Sequence, residues 1–254
     1  MIPSLDASER RELRPVGILA ICWVVLPAAG GFVLLANVGE ASEMLDAIAV
    51  SSGVAVSLLV FASFFAITSG LGLLPTYAQA ILAGWAFGTT FGTIGAILGI
   101  LLGATIGFGL ARLISGPAIE SIINRRPVVA AVRNAVIGSG FFRATYIVGL
   151  LRLSPNSPFA LSNLALGGAR TPVTAYLLGT MLGMLPRTAI AAGIAAAAAA
   201  DGSEGLAEVV EKKGWVMTIS GVIVLVVAVV IIGSIGKRAL KRALEDQADT
   251  TASS

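Results

Sequence analysis

The chain has 254 residues, of which 56% are hydrophobic and only 12% charged, with a formal net charge of +3. A soluble domain carries about a quarter charged residues, and a mean hydropathy of +0.92 leaves too little polar surface to cover one. The composition therefore excludes a soluble domain and, with apolar residues in long runs, implies an all-α polytopic membrane protein.

Residues 1–14 read as a polar N-terminal segment and 15–47 as a transmembrane anchor followed by an acidic loop. The apolar run Pro15 to Ala36 is long enough to span, since a helix needs about 20 apolar residues to cross the hydrocarbon core. Its core exceeds the ~7–15 residues of a signal peptide, and no clean cleavage site follows, so a retained anchor is expected. Cys22, the single cysteine, rules out an intramolecular disulfide and argues against a cysteine metal site. Ile48 to Gly70 reads as the second span.

Pro75 to Leu113 is too long for one span and short for two. Pro75, Gly84, Gly88 and Gly92 punctuate its first part. The region 75–92 is therefore expected to be re-entrant, and Thr93 to Leu113 a span. Irregular backbone at membrane depth is tolerated only where protein or a water-filled cavity covers it. The stretch Ala144 to Ala200 has the same character. Pro155, Asn156, Pro158 and Asn163 break it, so 145–168 is expected to be a second re-entrant segment, with a span over Thr171 to Ala200.

The two stretches resemble each other. Ala83-Gly84-Trp85-Ala86-Phe87-Gly88 recurs as Ser162-Asn163-Leu164-Ala165-Leu166-Gly167. A proline precedes each copy, Pro75 and Pro155. A small-xxx-small pair follows each, Gly99 with Gly103 and Gly179 with Gly183, a spacing that lets helices approach closely in lipid. An inverted repeat with a binding site between its halves is the expectation. Between the halves, 115–142 carries Glu120, Arg125, Arg126 and Arg133 among helically spaced Ile and Val residues. It reads as a basic amphipathic helix lying in the interface. The segment 201–236 reads as an acidic loop and the last span, Val216 to Ile235. Residues 237–254 read as a basic-then-polar tail.

About five transmembrane helices and two re-entrant segments result, the core occupying 48–200. The positive-inside rule places the Arg112 to Arg143 cluster and Lys237-Arg238-Lys241-Arg242 in the cytoplasm. The acidic connections Glu40 to Asp46 and Asp201 to Glu211 then lie outside. Arg10, Arg11 and Arg14 point to a cytoplasmic N-terminus, whereas five spans put the termini on opposite sides. The two criteria disagree.

The chain has no histidine and no recognised catalytic loop. Acidic residues are absent from Ala47 through Ile119 and from Ser121 through Ala200. No enzymatic activity, cofactor or metal site is expected. Arginines fill the opposite role: Arg152, Arg170 and Arg187 lie in or beside membrane segments without an intramembrane acid. An ionisable residue inside the membrane is a functional-site candidate. Arg170, before Thr171-Pro172, fits an interfacial anchor. Arg187 follows Pro186 in mid-span. Arg152 opens the irregular stretch to Phe159, where it could bond freed backbone carbonyls or grip a phosphate with its planar donor fork.

These residues resemble a known family. Arg152, Pro155, Asn156, Pro158, Phe159, Asn163 and Gly167, then Gly179, Thr180, Gly183 and Pro186, are similar to the core of the VTT domain, the DedA-like, SNARE-associated Golgi protein superfamily. Gly84, Phe87, Gly88, Gly92 and Arg112 fit its first half, and the likeness runs from about Val54 to Ala198. The resemblance implies facing re-entrant segments and the movement of lipids between leaflets. In bacterial relatives it implies recycling of a polyprenyl-phosphate carrier. Many DedA members carry a second arginine where this chain has Pro158, and an acid where it has Thr76-Tyr77. The chain thus looks closer to the branch typified by the yeast Golgi vesicle protein, and proton coupling through carboxylates is in doubt.

The expectation is an integral protein of a bacterial cytoplasmic membrane. It would hold phosphate-bearing lipid head groups on Arg152, Pro155, Asn156, Pro158, Asn163 and Arg187. Pro75, Gly84, Gly88, Gly92, Gly167, Gly179, Gly183 and Pro186 would shape the packing. The expected partners are membrane lipids and no nucleic acid, with a homo-oligomer left open. The alternatives are a transporter of oxyanions or small solutes and a non-transporting scaffold.

Overall fold

The computed structural model describes residues 25–114, 135–136, 140–153, 159–169, 171–200, 202 and 205–252. Among them every regular element is a helix. In chain order these are α1 (Val25–Ala36), α2 (Val38–Ser52), α3 (Val54–Gly70), α4 (Thr76–Ile114), α5 (Phe141–Leu153), α6 (Phe159–Gly168), α7 (Val173–Ala199) and α8 (Leu206–Ala252). By length and composition, Thr76–Leu113 and Val173–Ala199 are apolar enough to cross a membrane. The pair α1 and α2, bent by 72° at Asn37, makes a third if it counts as one span.

Two expectations for the N-terminal part are corrected. The acidic stretch Glu40 to Asp46 is no loop but lies inside α2, with Glu40 in the first turn, where a carboxylate favours the helix dipole. The run Ile48 to Gly70 is not one helix. It is divided at Gly53, whose φ of 93° suits a residue without a Cβ. Ser57 Oγ donates to Leu45 O at 2.7 Å across this corner, so α3 is tied back onto α2. In the sequence the break is marked only by Ser51-Ser52-Gly53, a Ser-Gly turn signal in an otherwise apolar run.

Helix α4 is folded in two. Gly88 has φ 72° and ψ −177°, outside the helical region. Gln79 Nε2 donates to Ala96 O at 3.1 Å, although a straight helix would hold these residues roughly 25 Å apart. A Cβ at Gly92 would collide with the backbone of Ala83. Residues receding on either side of Gly88 therefore meet, and Thr76–Phe87 lies antiparallel against the helix that follows. Of the three glycines expected to punctuate 75–92, only Gly88 breaks the helix. Gly84 and Gly92 are points of close approach.

The two halves use their glycine pairs alike. On α4, a Cβ at Gly99 would lie 3.3 Å from Ala62 O, and one at Gly103 3.0 Å from Ala66 O and against Ser69 of α3. On α7, a Cβ at Gly179 would lie 2.6 Å from Thr145 O, and one at Gly183 would meet Gly149 O and lie 2.7 Å from Arg152 Cβ of α5. The halves also interlock. Gly84, on the first arm of α4, touches the Ala192 backbone of α7. Helix α6 lies on the second arm of α4, with Asn163 over Gly107 and Gly167 against Phe108 O. Pro75 packs against Gly31. Pro186 sits inside α7 without dividing it.

Helix α8 has non-helical backbone at Gly214 (φ 75°, ψ 158°) and then continues to Ala252. The expected acidic loop is therefore helical from Leu206, and the expected tail is helical through Ala252. Trp215, Val216, Ile219, Ile223, Val226, Val230 and Ile231 of α8 are exposed. So are Val54, Leu59, Val60, Phe64 and Ile67 of α3. So much apolar surface is unusual outside a lipid environment. Of the basic segment expected over 115–142, residues 115–134 and 137–139 lie outside the described ones. Ala135 and Val136 are buried in the cluster formed by α5 and α7.

Candidate functional site

Helix α7 organises the site through one face. Tyr176, Thr180, Gly183 and Arg187 follow at helical spacing, and all are buried. Gly183 has no side chain, so α5 approaches closely and brings Arg152, the penultimate residue of α5, against α7.

Arg152 is 3% exposed. Its Nε donates to Thr180 Oγ1 at 3.3 Å, and its Nη2 donates to Tyr176 Oη at 3.1 Å and to Asn163 Oδ1. The guanidinium also lies over the Phe159 ring, 4.8 Å from its centroid. The Tyr176 hydroxyl lies 2.8 Å from Asn163 Oδ1 and 3.1 Å from Ala104 O, and its ring stacks on Phe108 at 4.3 Å. Residues from α5, α6 and α7 thus meet at one cation, and α4 holds the tyrosine that contacts it. Each of these partners is neutral. Asn163 is fully buried, and its Nδ2 has no hydrogen-bond partner among the described residues.

Arg187 forms a second centre further along the same face. It is 8% exposed and donates through Nη2 to Thr76 Oγ1 at 3.3 Å and through Nη1 to Tyr77 Oη at 3.5 Å. It also contacts the Met184 thioether, a weak acceptor, and lies 4.9 Å from the Tyr77 ring centroid. Its partners, too, are neutral. Arg152 packs against Gly183, one helical turn before Arg187. A bare charge in a low-dielectric interior costs several kcal/mol, on the order of what one good counter-charge recovers. Here two like charges share one helix face. The ion pair described, Lys212 with Glu208 at 2.6 Å, is on α8.

The structure brings together Arg152 and Asn163, and sets Arg187 on the same face of α7. Pro155, Asn156 and Pro158 lie outside the described residues. Gly84, Gly167, Gly179 and Gly183 are all close-approach positions. Tyr176, Thr180, Thr76 and Tyr77 were not among the candidate binding residues. Tyr176 and Thr180 were legible in principle, since they precede Arg187 on one helical face. Thr76 and Tyr77 follow Pro75 and meet Arg187 only because α4 turns back at Gly88. Arg112 donates to Thr171 O at 2.7 Å and lies over Phe108, so it ties the end of α4 to the start of α7.

The fold and site define a class: a helical protein with lipid-facing apolar surface and buried arginines clustered where two broken stretches interlock. Residues 74–197 match the family model of the VTT domain, whose members are membrane proteins with transport or lipid-related roles. The match opens beside Pro75 and closes within α7. It contains both arginine centres and leaves out α1, α2, α3 and α8, so it begins later than the likeness read from Val54. No curated protein and no solved structure matches the chain significantly. The apolar helices and this match make the chain an integral membrane protein.

Proposed function

We propose that the protein moves phosphate-bearing lipids, a phospholipid or a polyprenyl phosphate, between the leaflets of a bacterial cytoplasmic membrane. The observation that carries the reading is Arg152, buried with only neutral hydrogen-bond partners among the described residues, beside an Asn163 Nδ2 that has none among them. A lipid phosphate would supply the missing negative charge, and guanidinium donors match its oxygens in pairs. Arg187, further along α7, would be the next cation the head group meets. The acyl chains would stay in lipid, against the exposed faces of α3 and α8.

In this reading the α4 hairpin and the α5–α6 pair are facing re-entrant segments of an inverted repeat, within about five spans. The matched glycine contacts on α3 and α5 support that arrangement. Pro158 and the acid-free Thr76-Tyr77 pair favour the branch of the yeast Golgi vesicle protein, and a mechanism without membrane carboxylates.

The test is leaflet exchange of a fluorescent anionic phospholipid in liposomes. Exchange well above empty liposomes, lost in Arg152→Ala with the protein still folded, is expected. Exchange equal to empty liposomes, or unchanged in Arg152→Ala, contradicts the reading. Saturable uptake of a soluble oxyanion without lipid exchange would assign the arginines to solute transport instead.

A further inference from the structure

Helix α8 carries no charged residue between Lys213 and Lys237, and its apolar run ends where it meets α5. A Cβ at Gly236 would lie 2.6 Å from Leu153 Cβ and 3.3 Å from Leu150 O. One turn on, Leu240 is 4% exposed and belongs to the same buried cluster as Leu150 and Leu151. Gly236 and Leu240 thus define the face of α8 that is pressed on α5. Successive helical residues turn by roughly 100°, which points Arg238 and Arg242 to the other side and Lys237 to the flank between, and all three are exposed. Leu153, the residue that Gly236 touches, is the chain neighbour of Arg152.

This placement gives three long basic side chains at the point where a lipid-facing helix turns polar, beside the end of α5 that carries the buried arginine. Cations at the polar border of an apolar helix lie at the level of lipid phosphates. We infer that Lys237, Arg238 and Arg242 on α8 form a docking surface for anionic phospholipid head groups next to the Leu153 end of α5. The surface collects negatively charged lipids around the protein at that leaflet. It needs no release of Arg152 from its partners, so it stands whether or not Arg152 itself takes a phosphate. Where the transport reading also holds, the surface sets the leaflet from which lipid reaches Arg152 and favours anionic over zwitterionic lipid.

The experiment uses the full chain in detergent–lipid micelles with equal amounts of phosphatidylglycerol and phosphatidylcholine. Native mass spectrometry then counts the lipids that stay bound as detergent is exchanged. Each basic residue near a lipid surface contributes enough for about a fivefold preference. Even after allowance for Glu245 and Asp246 further along the helix, the wild type is expected to retain phosphatidylglycerol at least about tenfold over phosphatidylcholine. The Lys237→Gln, Arg238→Gln, Arg242→Gln triple variant is expected to lose most of that preference. The charge-preserving Lys237→Arg, Arg238→Lys, Arg242→Lys variant is expected to keep it, which separates charge from folding. Arg152→Ala is expected to keep it too. Equal retention of the two lipids by the wild type overturns the inference, as does undiminished preference in the triple Gln variant. Loss of the preference in Arg152→Ala alone overturns it as well, because the bound lipid would then belong to the buried arginine.

Discussion

The second arm of α4 and helix α7 offer the same pair of glycines to the helix beside them, yet the two seams differ in chemistry. Gly99 and Gly103 meet Ala62, Ala66 and Ser69, whose hydroxyl donates back to Phe65 O of its own helix at 2.6 Å. The amide of Gln79 closes that seam on Ala96 O. No charge enters it. Gly179 and Gly183 meet Thr145, Gly149 and Arg152, and there a guanidinium occupies the place that Ser69 holds in the first seam. One packing scheme thus serves twice, as plain helix joinery and as the seat of a buried cation. The shared glycines hold the helices together, and the proposed function rests on the difference, Arg152 and its neutral partners.

The comparison predicts that scaffold and site can be broken separately. Gly84→Leu should have the largest effect, because the side chain would run into the Ala192 backbone, which cannot yield as a flexible side chain can. Overpacking there should cost about 3 kcal/mol or more and abolish a monodisperse folded protein in size-exclusion chromatography. Gly109→Ala, at a position with nothing within 4 Å, should leave the profile unchanged.

Arg152→Ala should come next, with the opposite signature. Lipid exchange should fall to the level of empty liposomes while thermal stability changes by about 1–2 kcal/mol at most. Loss of a buried charge offsets loss of its hydrogen bonds, and Tyr176 can still donate to Asn163 Oδ1. Arg152→Lys should recover exchange only in part, since a single ammonium cannot reproduce the planar fork that serves Thr180, Tyr176 and Asn163 together.

Gly88→Ala should cost about 1–3 kcal/mol through backbone strain alone, because nothing lies within 4 Å of a Cβ there. Thermal denaturation checks it. Ser69→Ala should be the mildest change, about 1 kcal/mol or less, with lipid exchange intact. If Ser69→Ala stopped exchange as Arg152→Ala does, the two seams would not differ in role.

Much of this was legible in the sequence for a definite reason. Small residues at a spacing of four mark helix contacts wherever they occur, so Gly99, Gly103, Gly179 and Gly183 were readable as packing positions. An arginine in an acid-free apolar stretch marks itself, so Arg152 and Arg187 stood out. Three features were hidden. The break at Gly53 is marked by nothing more than Ser51-Ser52-Gly53 in an otherwise apolar run. The turn at Gly88 could not be told from Gly84 or Gly92, because all three are glycines in a helical context and only the long-range contact of Gln79 with Ala96 distinguishes them. Thr76 and Tyr77 gave no sign of meeting Arg187, because that contact depends on α4 turning back at Gly88.

The central claim is that the Arg152 guanidinium meets a lipid phosphate. Rotational-echo double-resonance NMR between lipid phosphorus and isotope-labelled arginine side chains, on the protein in phosphatidylglycerol membranes, tests it directly. The account predicts a dephasing signal at hydrogen-bond range from a guanidinium to phosphate that persists in the triple Gln variant of α8, where Arg238 and Arg242 no longer contribute, and falls when Arg152→Ala is added. A spectrum whose phosphorus contacts are the same in the triple Gln variant with and without Arg152→Ala would contradict it.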